Sequence, residues 1–191
     1  MDFDAAYAGS PPWDIGRPQQ AFLDLAVAGA LTGPLLDAGC GTGEHVLMAA
    51  GLGLDATGVD LAPTAIDIAE RKASERGIMA TFWVADALRL RAFGQEFATV
   101  IDCGLFHVFD DGDRDRFVGS LRSVTTTGAA YYMLCFSDEQ PGDWGPRRVS
   151  EEEIRASFAD GWTVESIVPT TLEITISPEG AKAWMASIRR L

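Results

Sequence analysis

From Pro34 onward the chain alternates short apolar runs with longer amphipathic segments. Residues 35–38 (Leu-Leu-Asp-Ala) form a short strand that breaks into Gly39-Cys40-Gly41-Thr42-Gly43, and residues 44–50 follow as a helix. A second strand over 56–59 ends at Asp60. A helix spans 63–76, with Pro63 in its first turn, Ile66, Ala69 and Ala73 at helical spacing, and Gly77 as its stop. Strands over 81–85 and 98–101 end at Asp86 and Asp102. Residues 113–124 place Phe117, Leu121 and Val124 on one helical face. Residues 129–136 are a continuous apolar run, the pattern of a strand buried on both faces. Ser150, with Glu153 three residues on, is a capping box opening a helix over 151–158.

This βαβα order predicts an α/β fold, a mostly parallel Rossmann-like sheet with helices on both faces. The end differs. Residues 162–176 are strand-like, Ser177-Pro178-Glu179-Gly180 has the composition of a turn, and 181–191 leave no room for another crossover. Ala183-Trp184-Met185-Ala186 is helical by propensity, but the short turn favours an antiparallel return strand. Residues 1–33 hold a Pro-, Gly- and aromatic-rich arm and a helix from about 19 to 30. They are too few to fold alone and should lie over the main domain, residues 34–191.

Composition narrows the function. A length of 191 residues fits one domain with a sizeable core, and 47% hydrophobic residues is ordinary for a globular chain. No run approaches the roughly 20 apolar residues of a membrane span. The start, Met1-Asp2-Phe3-Asp4, lacks a signal peptide's basic flank and apolar run, so the expected location is the cytoplasm and no membrane partner is expected. A net charge of −13, with basic pairs only at Arg71-Lys72, Arg147-Arg148 and Arg189-Arg190, argues against nucleic acid as substrate or partner. Cys40, Cys103 and Cys135 have no metal-type spacing and form no disulfide framework. They should cluster near one edge of the site, as small side chains packing tight turns rather than as metal ligands. The oligomeric state is left open.

In an open α/β sheet, ligands bind beyond the carboxyl ends of the strands. Here those ends carry a glycine loop, Asp60 and Asp86 in order. The glycines let the backbone approach a ligand, Asp60 can accept from two ribose hydroxyls, and Asp86 from an adenine amino group. Aspartates at such positions also serve as helix caps. A dinucleotide loop would read G-x-G-x-x-G, but its third glycine position is Glu44, whose carboxylate would repel a pyrophosphate. Asp37, two residues before Gly39, suits a cationic ligand.

The segments Leu36-Asp37-Ala38-Gly39-Cys40-Gly41-Thr42-Gly43, Gly58-Val59-Asp60-Leu61 and Val84-Ala85-Asp86-Ala87 resemble those of class I S-adenosylmethionine (SAM)-dependent methyltransferases over residues 34–191. The resemblance implies a seven-stranded sheet with an antiparallel last strand, and SAM as methyl donor with S-adenosylhomocysteine as product. It sets Asp37, Gly39, Cys40, Gly41 and Gly43 towards the methionine part, Asp60 and Leu61 at the ribose, and Asp86 and Ala87 at the adenine. Asp102 and Cys103, at the fourth strand's end, complete the expected cofactor set. A SAM-binding regulatory protein without turnover, or an NAD(P)-dependent oxidoreductase, are the alternatives.

The segment Pro12-Trp13-Asp14-Ile15-Gly16-Arg17 resembles the arm of the thiopurine, thiol and halide methyltransferase branch. That implies a cover over SAM and a small-molecule acceptor, with Trp13 as a wall and Arg17 near the methionine carboxylate. Methyl transfer from a sulfonium is an in-line displacement, for which positioning and water exclusion do much of the work. A base is required only for a nucleophile of high pKa, so S, O and N acceptors are all open. His107, in Cys103-Gly104-Leu105-Phe106-His107, is the candidate general base, or else a loop histidine that shapes the pocket. His45 is expected to be structural. Phe106, Trp144 and Arg147 complete the expected acceptor contacts, the last two on the loop 137–149.

Overall fold

The computed structural model describes residues 3–191; Met1 and Asp2, part of the acidic start, lie outside the described residues. Two short helices, α1 (Phe3–Tyr7) and α2 (Gln20–Val27), precede the sheet. There follow β1 (Leu35–Ala38), α3 (Glu44–Gly51), β2 (Ala56–Asp60), α4 (Pro63–Arg76) and β3 (Thr81–Val84). A 3-10 segment, Ala87–Phe93, leads to β4 (Phe97–Cys103), a 3-10 turn at Phe106–Val108 and α5 (Asp111–Arg122). The chain ends with β5 (Thr125–Phe136), α6 (Glu151–Ser157), β6 (Trp162–Ile174) and β7 (Ser177–Arg190).

The seven strands form one sheet in the order β3-β2-β1-β4-β5-β7-β6. The first five are parallel, and β7 runs antiparallel to both β5 and β6. Strand order reverses between β1 and β4, which opens the crevice where such sheets bind ligands. The strand reading of the last segment therefore holds over its helical propensity: pairing with two neighbours outweighs intrinsic preference.

The two faces of β5 show why its sequence is apolar throughout. Tyr131, Met133 and Cys135 pack into one core with Phe117, Leu121, Phe158 and Trp162. Tyr132, Leu134 and Phe136 pack into the other with Phe22, Val46, Leu47 and Ile66. Alternate residues point to opposite faces, and helices cover both.

Local chemistry sets the helix ends. Pro63 opens α4 and Gly77, at φ 64°, closes it, so both limits agree with the sequence. Ser150 and Glu153 make both bonds of the capping box at α6. In α5 the start moves forward to Asp111 because the Asp110 side chain accepts from the Asp113 N–H at 2.8 Å. One reversal lies elsewhere than expected. Ser177 to Gly180 belong to β7, and the chain turns at Thr175-Ile176, between the paired Ile174 and Ser177.

The arm is tied down at both ends of the sheet's carboxyl edge. The Asp4 carboxylate accepts from the Thr64 N–H (2.8 Å), capping α4 from outside. Pro12 O accepts from the Thr175 N–H, and the Gln19 side chain pairs with both backbone groups of Glu173.

Candidate functional site

The glycine loop is pinned before any ligand is considered. Gly39 and Cys40 N–H both donate to Val59 O (2.8 and 2.9 Å), and Gly41 N–H donates to Asp60 Oδ2 (2.8 Å). Gly43 sits at φ 83°, and a Cβ there would stand 2.8 Å from Ala69 Cβ and from the Phe82 ring. Glycine is required by both conformation and space. Cys40 turns its thiol inward against Gly58 rather than towards the loop's ligand face.

Four aspartates end the first four parallel strands or lie beside those ends, and their hydrogen bonds separate them. Asp60 spends one lone pair of each oxygen on backbone, Oδ2 on Gly41 and Oδ1 on Ala62 N–H (2.9 Å); a second lone pair on each is left for hydroxyls. Asp86 caps the following turn through Leu88 N–H (2.9 Å), beside buried Ala87, with its other oxygen 3.7 Å from Arg89 Nε. Asp102 is the most heavily bonded of the four and is 0% exposed. It accepts from Leu105 N–H (2.6 Å), Phe106 N–H (2.9 Å) and the Tyr131 hydroxyl (2.9 Å). These bonds make Asp102 a brace for the loop after β4. Burial, opposed by these hydrogen bonds, raises its pKa to about 7.

Asp37 is the exception. It is 0% exposed, and neither carboxylate oxygen has a hydrogen-bond partner among the described residues. His45 Nδ1 faces it 3.7 Å from Oδ2, beyond hydrogen-bond range. A buried, unpaired carboxylate is costly unless a cation meets it. SAM carries an ammonium and a sulfonium and no phosphate, so this residue set fits SAM and disfavours a pyrophosphate.

Glu44 needs a corrected account. It does not face the loop's ligand side as a free charge. Arg76 holds both its oxygens at 2.8 Å, and Lys72 Nζ stands 2.8 Å from Oε1. Burial alone would raise its pKa, but those two cations hold it below the ordinary range. A carboxylate so neutralised repels a phosphate little, and Asp37 takes over that role. Lys72 also donates to Thr42 Oγ1 (2.7 Å), and Thr42 donates to Asp14 Oδ1 (3.0 Å), which links glycine loop, α4 and arm.

The arm brings in a residue missed in the sequence. Tyr7 is buried, and its hydroxyl would lie 2.7 Å from a Cβ on Gly41. Burial, with the nearby Asp60 charge adding, raises its pKa. Trp13 Nε1–H donates to that hydroxyl (3.0 Å), and the Trp13 indole packs with Tyr7, Ala62 and Ala65 beside Asp60. Arg17 does not approach the loop. It pairs with Glu173 of β6 through both Nη atoms (3.1 and 2.6 Å), so a contact with the methionine carboxylate would require this exposed pair to open. Leu61, 66% exposed, stands open next to Asp60.

At the acceptor end the structure separates the candidates. Phe106 is 0% exposed, packed under the Arg114 guanidinium (4.6 Å) and against Phe158, so it is core rather than wall. Arg147 is paired with Asp111 (2.5 Å) and Glu153, which fastens the loop to α5 and α6 and leaves no free charge for a substrate. His107, Phe136 and Trp144 form an edge-to-face stack with centroid spacings of 5.2 and 5.6 Å. Phe136 was not anticipated; its position at the end of β5 was the available signal. Cys103 is half-buried, and burial raises its thiol pKa.

His107 Nδ1 accepts the Phe136 N–H at 3.0 Å, so the ring proton sits on Nε2. Burial and the charges of Arg114 and Arg148 lower its pKa to about 3. A general base needs a free lone pair and a pKa near the working pH. His107 is here a buried, neutral imidazole with its one lone pair engaged, an arrangement that favours a shaping role over a base. Among the described residues no group of three or more His, Cys, Asp or Glu is placed to hold a metal ion, and no helix is long and apolar enough to cross a membrane.

Replacing Asp60 by Ala or Asn should weaken SAM binding about 10- to 100-fold, since hydrogen bonds to a charged group are worth roughly 1.5–3 kcal/mol. Asn cannot accept at both ends, so it also leaves Gly41 or Ala62 N–H unpaired and should lower the stability of the SAM-free protein. Calorimetric titration showing wild-type affinity in both variants would reduce Asp60 to a loop brace.

Comparison with known proteins agrees with this geometry. A methyltransferase-domain family model matches residues 35–128. The 2-heptyl-1-hydroxyquinolin-4(1H)-one methyltransferase of Mycobacteroides abscessus is 38% identical over 181 residues, covering 89% of this chain and 80% of that protein. A chain solved in work on the conversion of a disulfide bond into a thioacetal group during echinomycin biosynthesis superposes with a TM-score of 0.89. It is 40% identical, covering 98% of this chain and 91% of that one. The fold is shared with magnesium protoporphyrin IX methyltransferase from Synechocystis, solved with bound SAM, at 21% identity and a TM-score of 0.70, covering 89% of this chain and 76% of that one. With a glycine loop, strand-end carboxylates suited to a cation, and relatives of this closeness, the chain belongs to the class I SAM-dependent methyltransferases.

Proposed function

We propose that this methyltransferase acts on a small, flat acceptor whose oxygen or sulfur nucleophile is acidic enough to arrive as an anion. The observation that carries the proposal is the state of His107: its Nδ1 is occupied by the Phe136 N–H, which leaves the proton on Nε2 as a donor to offer and no lone pair to remove a proton. Asp102, the carboxylate next to that loop, is 0% exposed and holds the backbone and Tyr131, so an acceptor does not reach it. A protonated aliphatic alcohol or ammonium would find no base among these residues. An acidic hydroxyl or a thiol needs none. The hydroxyquinolinone acceptor of the M. abscessus relative belongs to this class, and the disulfide named for the echinomycin-pathway structure carries no proton and so also needs no base.

SAM supplies the methyl group on a sulfonium, an activated leaving group. In our reading Asp37, Gly39, Gly41 and Gly43 receive its methionine end, Asp60 and Leu61 the ribose, and Asp86 with Ala87 the adenine. Tyr7 and Trp13 cover the cofactor and, with His107, Phe136 and Trp144, wall the acceptor. The enclosure excludes water and fixes the in-line approach. The Tyr7 hydroxyl accepts from Trp13, and its own hydrogen has no acceptor among the described residues, which leaves a second donor for an acceptor anion. The same reading places the protein in the cytoplasm, where its three thiols stay reduced. It expects no nucleic-acid partner, given the net charge of −13.

The test is a series of phenols, N-hydroxy heterocycles and thiols of graded acidity, with kcat/KM measured against pH. The acid limb should move with the pKa of each acceptor. A limb fixed at one pH for every acceptor would show a protein base and overturn the proposal.

A further inference from the structure

We infer that His45 is a positioning residue that couples the seating of the N-terminal arm to SAM binding, by standing between the Gln19 backbone, which it bonds, and the Asp37 carboxylate, which it faces. The inference rests on the reading of Asp37 as a SAM ligand. His45 lies in the first turn of α3, buried, with its ring edge-to-face against Phe22 of α2 at 4.7 Å. Its Nε2 accepts the Gln19 N–H at 3.1 Å. That bond fixes the tautomer: the ring proton sits on Nδ1, and Nδ1 faces Asp37 Oδ2 at 3.7 Å. One imidazole therefore has the arm on one nitrogen and the unpaired carboxylate on the other.

Gln19 is the arm's most firmly held residue. It is 2% exposed, its side chain makes both hydrogen bonds to the Glu173 backbone (2.9 and 2.8 Å), and it precedes the first turn of α2. From Gln19 the chain runs back through Asp14, bound to Thr42 of the glycine loop, to Trp13 and Tyr7 over Gly41. The seat of the cover thus rests on the ring whose other nitrogen faces Asp37 at 3.7 Å. When a cation meets Asp37, the carboxylate and the Nδ1–H that faces it are held in one arrangement, and the Nε2 acceptor offered to Gln19 is held with them. Coupling of this kind is reciprocal: by the factor that a seated arm tightens SAM binding, SAM must tighten the seating of the arm.

The measurement is amide hydrogen exchange over residues 12–20 with and without SAM, beside the SAM Kd from calorimetry. In the wild type, SAM should slow exchange in this segment about 5- to 10-fold. His45→Phe keeps the ring against Phe22 but loses both nitrogens; it should bind SAM about 10-fold more weakly and lose the SAM-dependent slowing. His45→Gln can place Oε1 near the position of Nε2. It should keep the arm protected without SAM yet lose the further slowing that SAM brings. Full SAM-dependent slowing in either variant, with Asp37→Ala still impaired in SAM binding, overturns the coupling alone. Asp37→Ala binding SAM as tightly as wild type overturns the reading of Asp37 instead.

Discussion

Replacing Asp37 by asparagine should make the SAM-free protein more stable while weakening SAM binding about 10- to 100-fold. In the folded chain this carboxylate is 0% exposed and accepts no hydrogen bond among the described residues. Its charge also adds to the burial that already raises the pKa of Asp60 and of Asp102, so the fold holds three carboxylates that disfavour one another. An uncompensated buried polar group costs roughly 1–3 kcal/mol, and more when charged. An amide of the same shape removes the charge and the mutual repulsion. A gain of about 1–2 kcal/mol corresponds to roughly 2–8 °C in Tm for a domain of this size. SAM loses the same interaction, and that is the source of the affinity loss. Thermal melts with and without SAM read both effects: the apo Tm rises and the ligand-induced shift shrinks. A variant that melts lower and binds SAM normally would make Asp37 a structural residue.

Such a trade marks a functional site, where local rules of stability are broken for a ligand. It also explains which parts of the site were legible in the sequence. Asp37 stood out by its place two residues before Gly39, and the structure leaves both its oxygens without a hydrogen bond among the described residues. Asp102 looked equivalent, also at a strand end. What separates them is the backbone that follows: the chain after Cys103 curls back to present Leu105 and Phe106 N–H to the carboxylate, and a tyrosine from β5 completes the set. The tyrosine is 29 residues away, and the turn through Gly104 (φ 84°), though local, carries no capping pattern that marks it. Arg147 and Glu44 misled for a related reason. Each looked free in the chain and is held by partners 6 to 36 residues away.

The fold was more legible than the site, because its signals are local. Pro63 and Gly77 bracket α4, and Ser150 with Glu153 open α6. Where local signals mislead, the element shifted. Ser177-Pro178-Glu179-Gly180 has the composition of a turn, yet it lies in β7 because the reversal occurs two residues earlier at Thr175-Ile176, which carries no glycine or proline. Gly180 keeps a positive φ of 70° within the strand. The arm shows the opposite limit. Trp13 was conspicuous, but Tyr7 and Gln19 gain their meaning from Gly41 and His45, and no pattern within residues 1–33 states those pairings.

The second large effect concerns His107 and follows from the proton it does not take. Its folded pKa is lowered to about 3, chiefly by burial, against about 6.5 in the unfolded chain. Between those values the unfolded chain binds a proton that the folded chain refuses. Stability contributed at His107 is therefore complete above about pH 6.5 and is lost as pH falls towards 3, by roughly 1.4 kcal/mol per pH unit. Asp102 works the other way, since its raised pKa of about 7 lets the folded chain gain a proton first as pH falls. Comparison with His107→Asn cancels the Asp102 contribution, because both proteins carry it. Asn can place its carbonyl oxygen near the position of Nδ1 and accept the Phe136 N–H, without a titrating ring. The variant should match or fall slightly below the wild type at pH 8. It should then overtake it on acidification, with the difference moving by about 2–3 kcal/mol between pH 6.5 and 4.5 in urea unfolding. Activity separates the roles. If Nε2–H donates to the acceptor, His107→Asn lowers kcat/KM about 10-fold and leaves the acid limb at the acceptor's own pKa. If His107 were a base, the acid limb itself would vanish with the imidazole, and the unfolding difference would stay flat with pH.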